Sequence, residues 1–377
     1  MSRRVLINLL FAGTPFLLVF LILGGAYAGH FWGKRLSERY DRAATEGKSS
    51  SPTGESAESV KQANEGMTIP LFFGVGNVNG VDLAAIEEEA SRANESGIHN
   101  YLVPTSIFWP GTEAAPSSVL DVAEAVRRGD PDARFLLLLD LNPPLAWLTT
   151  NEDARADPDD ASIGNASLCS PVWMEAVREG IAKIVAEVRN RKLNVVGYVP
   201  ACLDGGQWKR ADHRDHSANI LSAYREWLKA KYGGEEELRK AWNDPSISFD
   251  TLSLPHTPVE QEGVAFFGNP LLNPAQVDFN RFCSEMTADV ITAIVSSIKT
   301  NAGKDVMVFV PYGHTFEVIN SQSGQLGFAR LLETTVDGFI SPISSVDRGI
   351  GGVGGFMGPI HSALDRGKKW LLLDDTR

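Results

Sequence analysis

Cysteine is scarce: Cys169, Cys202 and Cys283 are the only three in 377 residues, and no pair has CxxC spacing. That excludes a disulfide framework or a cysteine zinc knuckle, and the three thiols read as small buried hydrophobes. Positive charge is also short. Lys and Arg number 35 against 47 Asp and Glu, a formal net charge of −12, and no basic stripe runs through the main body. Nucleic acid is therefore not an expected partner, because phosphate binding needs a basic face. No internal repeat is visible. Long hydrophobic runs are absent as well, with one exception at the start.

There, Arg3 and Arg4 precede a nearly uncharged run from Val5 to Gly29, followed by His30, Lys34, Arg35 and Arg39. About 25 apolar residues are enough to cross a bilayer as a helix, longer than the usual core of a cleaved signal. Ala26-Tyr27-Ala28 keeps a cleavage site open as the alternative. We expect residues 1–30 to be a signal anchor or transmembrane segment. The main domain is then membrane-anchored and exported, periplasmic or extracellular. Residues 31–66 are rich in Ser, Glu, Ala, Gly and Lys, most markedly from Asp41 to Gly66, and read as a disordered linker.

From Ile69 onward short β-rich runs alternate with amphipathic stretches, as in βα units of a parallel sheet. Strands are expected at Ile69–Val75, His99–Val103, Arg134–Leu141, Val195–Pro200, Asp305–Pro311, Val336–Pro342 and Lys369–Asp374. Helical patterns cover Val81–Ser96, Val119–Arg128, Met174–Arg191, Asn219–Tyr232, Glu235–Asn243 and Val277–Thr300. The expected fold class is α/β, a (β/α)8 TIM-type barrel over residues 67–377 in which seven strands can be counted, so that it is either truncated after strand seven or closed unusually.

Gly74-Val75-Gly76-Asn77-Val78-Asn79-Gly80 misses the dinucleotide spacing by one residue, and the next strand ends without an acid, so it reads as a tight βα turn. His213 and His216, beside Asp212 and Asp215, lie in a polar loop and lack a third ligand on a rigid element. Neither a metal nor another cofactor is expected.

Barrel chemistry sits at the C-terminal ends of strands, and those ends are polar here. Strand three ends in Asp140-Leu141-Asn142, with Trp147 behind; strand four runs into Asp204, Gln207 and Trp208. Strand five ends in Tyr312-Gly313-His314, with Glu317 beyond, and strand seven in Asp374-Asp375-Thr376-Arg377. Aromatic rings pack on the C–H face of a sugar while amides and carboxylates take its hydroxyls. A carbohydrate substrate or ligand is thus expected, with Asn142, Trp147, Trp208, Tyr312, His314, Glu317, Asp375 and Arg377 as its binding surface. The competing reading has the aspartates capping helices and the tryptophans filling core.

Three further segments carry a family resemblance. Tyr224-Arg225-Glu226-Trp227-Leu228-Lys229-Ala230-Lys231-Tyr232-Gly233, followed by Leu238 and Ala241-Trp242, resembles a stretch of β-galactosidase-like glycoside hydrolases, family 42 and related retaining enzymes. Asp278-Phe279-Asn280-Arg281-Phe282 is similar to the same group, as is the run from Ser341-Pro342 through Arg348 and Gly351-Gly352 to Asp375-Thr376-Arg377. The resemblance implies an acid/base glutamate after strand four and a nucleophilic glutamate ending strand seven, about 5–5.5 Å apart. In this sequence those positions fall on Gln207 and Leu373. An amide cannot donate a proton as a carboxylic acid does, and leucine cannot attack an anomeric carbon. Asp204 and Asp374 are the carboxylates that can stand in. The implied function is a glycosidase acting on β-linked sugars; the alternatives are a sugar-binding barrel without catalysis and a structural envelope protein.

Overall fold

The structure is a computed structural model that describes residues 72–75, 82–112, 119–157, 165–203, 205–209, 215–255, 271–312, 324–342 and 369–374. Pro70–Arg377 form one compact unit. The expected anchor and linker lie outside the described residues. No described helix is long and apolar enough to cross a membrane.

Seven strands form one sheet in the order of the chain, every neighbouring pair parallel. They are β1 (Phe73–Gly74), β2 (Asn100–Ser106), β3 (Arg134–Asp140), β4 (Val195–Ala201), β5 (Met307–Val310), β6 (Gly338–Pro342) and β7 (Trp370–Asp374). Parallel neighbours need long crossovers, and helices supply them. These are α1 (Leu83–Glu95), α2 (Asp121–Gly129), α3 (Leu145–Thr150), α4 (Pro171–Asn190), α5 (Ala218–Tyr232), α6 (Glu235–Trp242), α7 (Pro274–Ala302) and α8 (Phe328–Leu332). Periodicity locates all seven strands within a few residues; α3 and α8 are too short to show one.

Local chemistry sets the helix ends. Ser170 accepts a hydrogen bond from Trp173 N (3.2 Å) ahead of Pro171, and Asn273 caps α7 just before Pro274, so both long helices start on a polar cap with proline in the first turn. Gly233 ends α5 at φ +74°, a left-handed stop that glycine takes without strain.

Strand alternation divides the core in two. On β3, Phe135, Leu137 and Leu139 join the layer between sheet and helices. Leu136 faces the other way and clusters with Val199, Phe309 and Ile340, against which Phe72, Leu102, Leu138 and Met307 pack. This second cluster is the inner face of the sheet, lined by branched and aromatic residues as in a barrel interior. Continuing the alternation by two residues carries Asp140 to that inner side at the end of β3.

In the helix layer, Asp278 of α7 is buried, and its carboxylate takes hydrogen bonds from Tyr232 Oη (2.5 Å), Trp242 Nε1 (3.0 Å) and Lys231 Nζ. Two of the three segments that carry the family resemblance thus meet at one point, where three helices are pinned together.

Candidate active site

At the C-terminal edge of the sheet, register aligns Ser106 with Asp140 and Asp140 with Ala201, so the ends of β2, β3 and β4 form one row. Asp140 is the polar centre of that row. The residue is exposed, yet protein on one side of its carboxyl desolvates it enough to raise the pKa above the ordinary aspartate value. Hydrogen bonding from Asn142 opposes the shift, its backbone N–H lying 3.0 Å from Oδ1. Among the described residues it is the one carboxylate whose pKa is raised.

Beyond β4 the chain makes an unusual turn. Leu203 (φ +64°), Gly205 (+60°), Gly206 (+73°) and Trp208 (+54°) are all left-handed, two of them with bulky side chains. Such residues each cost on the order of 1 kcal/mol and persist only where their surroundings fix them. Several bonds do so here. Gly206 N donates to Leu203 O (3.0 Å) and Trp208 N to Cys202 O (2.8 Å). From β3, Asn142 Oδ1 accepts from Leu203 N (2.8 Å) while its Nδ2 donates to Leu203 O (3.3 Å). From the stretch before α8, Gln325 Nε2 donates to Gln207 O (2.5 Å).

The expected sugar-binding residues divide accordingly. Asn142 does reach the strand-end row, but both ends of its amide are engaged with Leu203. The three aromatic platforms are corrected. Trp208 and Tyr312 have no exposed surface and Trp147 has 2%. The left-handed backbone at Trp208 goes with an inward ring whose Nε1 donates to Pro200 O (2.9 Å). Tyr312 Oη donates to Gly324 O (3.0 Å) and accepts from Gly327 N (2.8 Å). Trp147 packs on Trp109 with ring centroids 5.1 Å apart. The core-filling reading holds for all three, because each ring buries its apolar body and its environment satisfies or encloses the polar tip.

Asp204, His314, Glu317, Asp375 and Arg377 lie outside the described residues. The backbone of Asp374 ends β7, in register with Pro342. Sequence reasoning named Asp140 at the end of strand three without giving it a role, and did not reach Gln325. Asp140 was legible in Leu-Leu-Leu-Leu-Asp once the alternation is counted; Gln325 left no local signal, since its partner is 118 residues away. Among the described residues no three His, Cys, Asp or Glu side chains cluster as metal ligands.

A parallel, sequentially ordered sheet wrapped by helices around a branched inner face defines a (β/α)-barrel-like protein. Within that class, residues 152–324 match the model of glycoside hydrolase family 42, described as Beta-galactosidase. Among solved structures, the catalytic domain of a beta-amylase from Paenibacillus polymyxa aligns with TM-score 0.61 at 13% identity, covering 80% of this chain and 83% of that one. A beta-galactosidase from the psychrophilic Marinomonas ef1 aligns with TM-score 0.57 at 17% identity over 80% of this chain, and one from Bacillus circulans sp. alkalophilus with 0.52 at 18% over 74%. The chain spans 48% and 41% of those two beta-galactosidases. The resemblance to family 42 is borne out by the segment matched and the fold shared.

Proposed function

We propose that this chain is a glycoside hydrolase-like barrel that takes a β-linked sugar at the C-terminal mouth of its sheet and cleaves it with Asp140 as proton donor. The observation that carries this is the place of the Asp140 carboxyl, exposed at the C-terminal end of β3 in the row shared with Ser106 and Ala201, with partial desolvation raising its pKa above the ordinary aspartate value. A general acid must hold its proton near neutral pH until the leaving oxygen needs it, and desolvation is the usual device. The partner carboxylate in this reading is Asp374, at the end of β7, or Asp204 after β4. In an eight-stranded barrel strands three and seven stand on opposite walls, a placement that suits a wider, inverting separation of about 6.5–9.5 Å, with water between. The family match and the folds shared with beta-galactosidases support the substrate class.

One observation favours a second reading. The position the resemblance assigns to the acid/base holds Gln207, whose backbone is tied down by Gln325. A barrel that binds sugar without cleaving it fits an amide there. The same experiment separates the two. Aryl β-glycosides are offered to the wild-type chain and to Asp140→Asn, Asp204→Asn and Asp374→Asn, with the anomer of the product followed by NMR. Turnover lost in Asp140→Asn, with inversion, supports cleavage as described. Retention sinks the wide-pair mechanism, and sugar binding without any turnover favours the second reading. The apolar run from Val5 to Gly29 supports export on a membrane anchor, and protease accessibility of the domain in intact cells tests that.

A further inference from the structure

Asn142 and Gln325 come from distant parts of the chain and grip one loop. Asn142 holds Leu203 by both its N–H and its C=O, and Cys202 Sγ lies 3.6 Å from the same Oδ1. Gln325, itself 1% exposed, holds Gln207 by its carbonyl. The four left-handed residues lie between or immediately beside these two grips, and a Cβ on Gly206 would come within 3.1 Å of Ala201 Cβ. Nothing in the loop's own sequence favours a left-handed Leu or Trp, so the conformation is imposed from outside.

We infer that Asn142 and Gln325 are positioning residues: together they hold the β4 loop left-handed at Leu203 and Trp208 and so fix the backbone of Gln207 beyond the end of β4. This rests on the proposed carbohydrate site for its functional consequence, but the clamp is a physical claim with its own readout. Asn142 then acts through Leu203 and does not itself contact sugar.

The loop turns back on Cys202, which is 2% exposed and whose carbonyl accepts from Trp208 N, while Cys283 is buried in α7 beside Gly324 and serves as an internal control for Asn142→Ala. In the full chain, Asn142→Ala and Gln325→Leu should each raise the labelling rate of Cys202 by a maleimide about tenfold or more, with Cys283 still protected in Asn142→Ala, because local opening governs such rates. Asn142→Asp keeps the acceptor for Leu203 N and loses the donor to Leu203 O, so it should restore part of the protection. On aryl β-glycosides the two clamp variants should lower kcat with KM little changed, the pattern of misplaced groups as opposed to a lost ligand. A folded Asn142→Ala and Gln325→Leu with Cys202 still protected overturn the clamp. So does a KM rise at constant kcat in Asn142→Ala, which would make Asn142 a direct sugar ligand. If the wild-type chain neither binds nor cleaves sugar while Cys202 is unmasked in both variants, the clamp stands and the carbohydrate reading fails.

Discussion

Asp278 and Asp140 are two aspartates with opposite surroundings. Asp278 lies between α5, α6 and α7 with a phenol, an indole and an ammonium all donating to it. Asp140 ends a strand at the mouth, with Asn142 as its hydrogen-bond donor and a carboxyl raised by desolvation. One is enclosed by three donors; the other stands at the exposed end of a strand, where partial desolvation raises its pKa. The contrast is between a group that pins helices together and the one on which the proposed cleavage rests.

Four experiments put that contrast to the test. Asp278→Ala leaves the Lys231 ammonium, the Tyr232 hydroxyl and the Trp242 indole without their acceptor, and should destabilise by about 3–5 kcal/mol in urea unfolding. A loss below 1 kcal/mol would remove Asp278 from its role as anchor. Asp140→Asn should lower kcat on aryl β-glycosides by about 10²–10⁴-fold while leaving stability at pH 7 unchanged or higher. The sign follows from the raised pKa. Folding favours the protonated carboxyl, so its cost grows as pH rises from the unfolded value of about 3.9 through the higher folded value, and is complete at neutral pH. The stability gap between Asp140→Asn and wild type should therefore close below about pH 4; a variant less stable than wild type at pH 7 would make Asp140 structural after all.

Next in size is a site with no polar chemistry. A Cβ at Gly129 would lie 2.2 Å from Glu87 O and 2.9 Å from Ala90 Cβ, because α1 and α2 touch there. Gly129→Ala should cost about 1–3 kcal/mol with kcat unchanged, placing the lower helical wall on the stability side of the contrast. Last, Arg330 pairs with Glu285 and Asp289 on the exposed side of α7. Its replacement by Ala should change stability by less than about 1 kcal/mol, and less still in high salt. A larger effect would show that charge count, not enclosure, sets the worth of a carboxylate here.

The sheet was legible because its strands carry their own signals: four consecutive leucines closed by Asp140, or Met-Val-Phe-Val in β5, are buried parallel strands on composition alone. Periodicity likewise located the long helices. The site was less legible. Tryptophan and tyrosine near strand ends serve a sugar platform or a core equally well, and only the backbone decides. Trp208 is the clearest instance, since its ring direction follows from a left-handed φ that no local residue preference announces. Gln325 was out of reach altogether, since a hydrogen bond across 118 residues leaves no pattern in either segment.

That same separation orders the birth of the molecule. The Gln207 carbonyl has no Gln325 amide until α7 and β5 have been made, and α4 and β4 likewise wait for those elements to cover them. A nascent chain that has reached only the β4 loop therefore holds that loop by Asn142 alone, one of its two grips still missing.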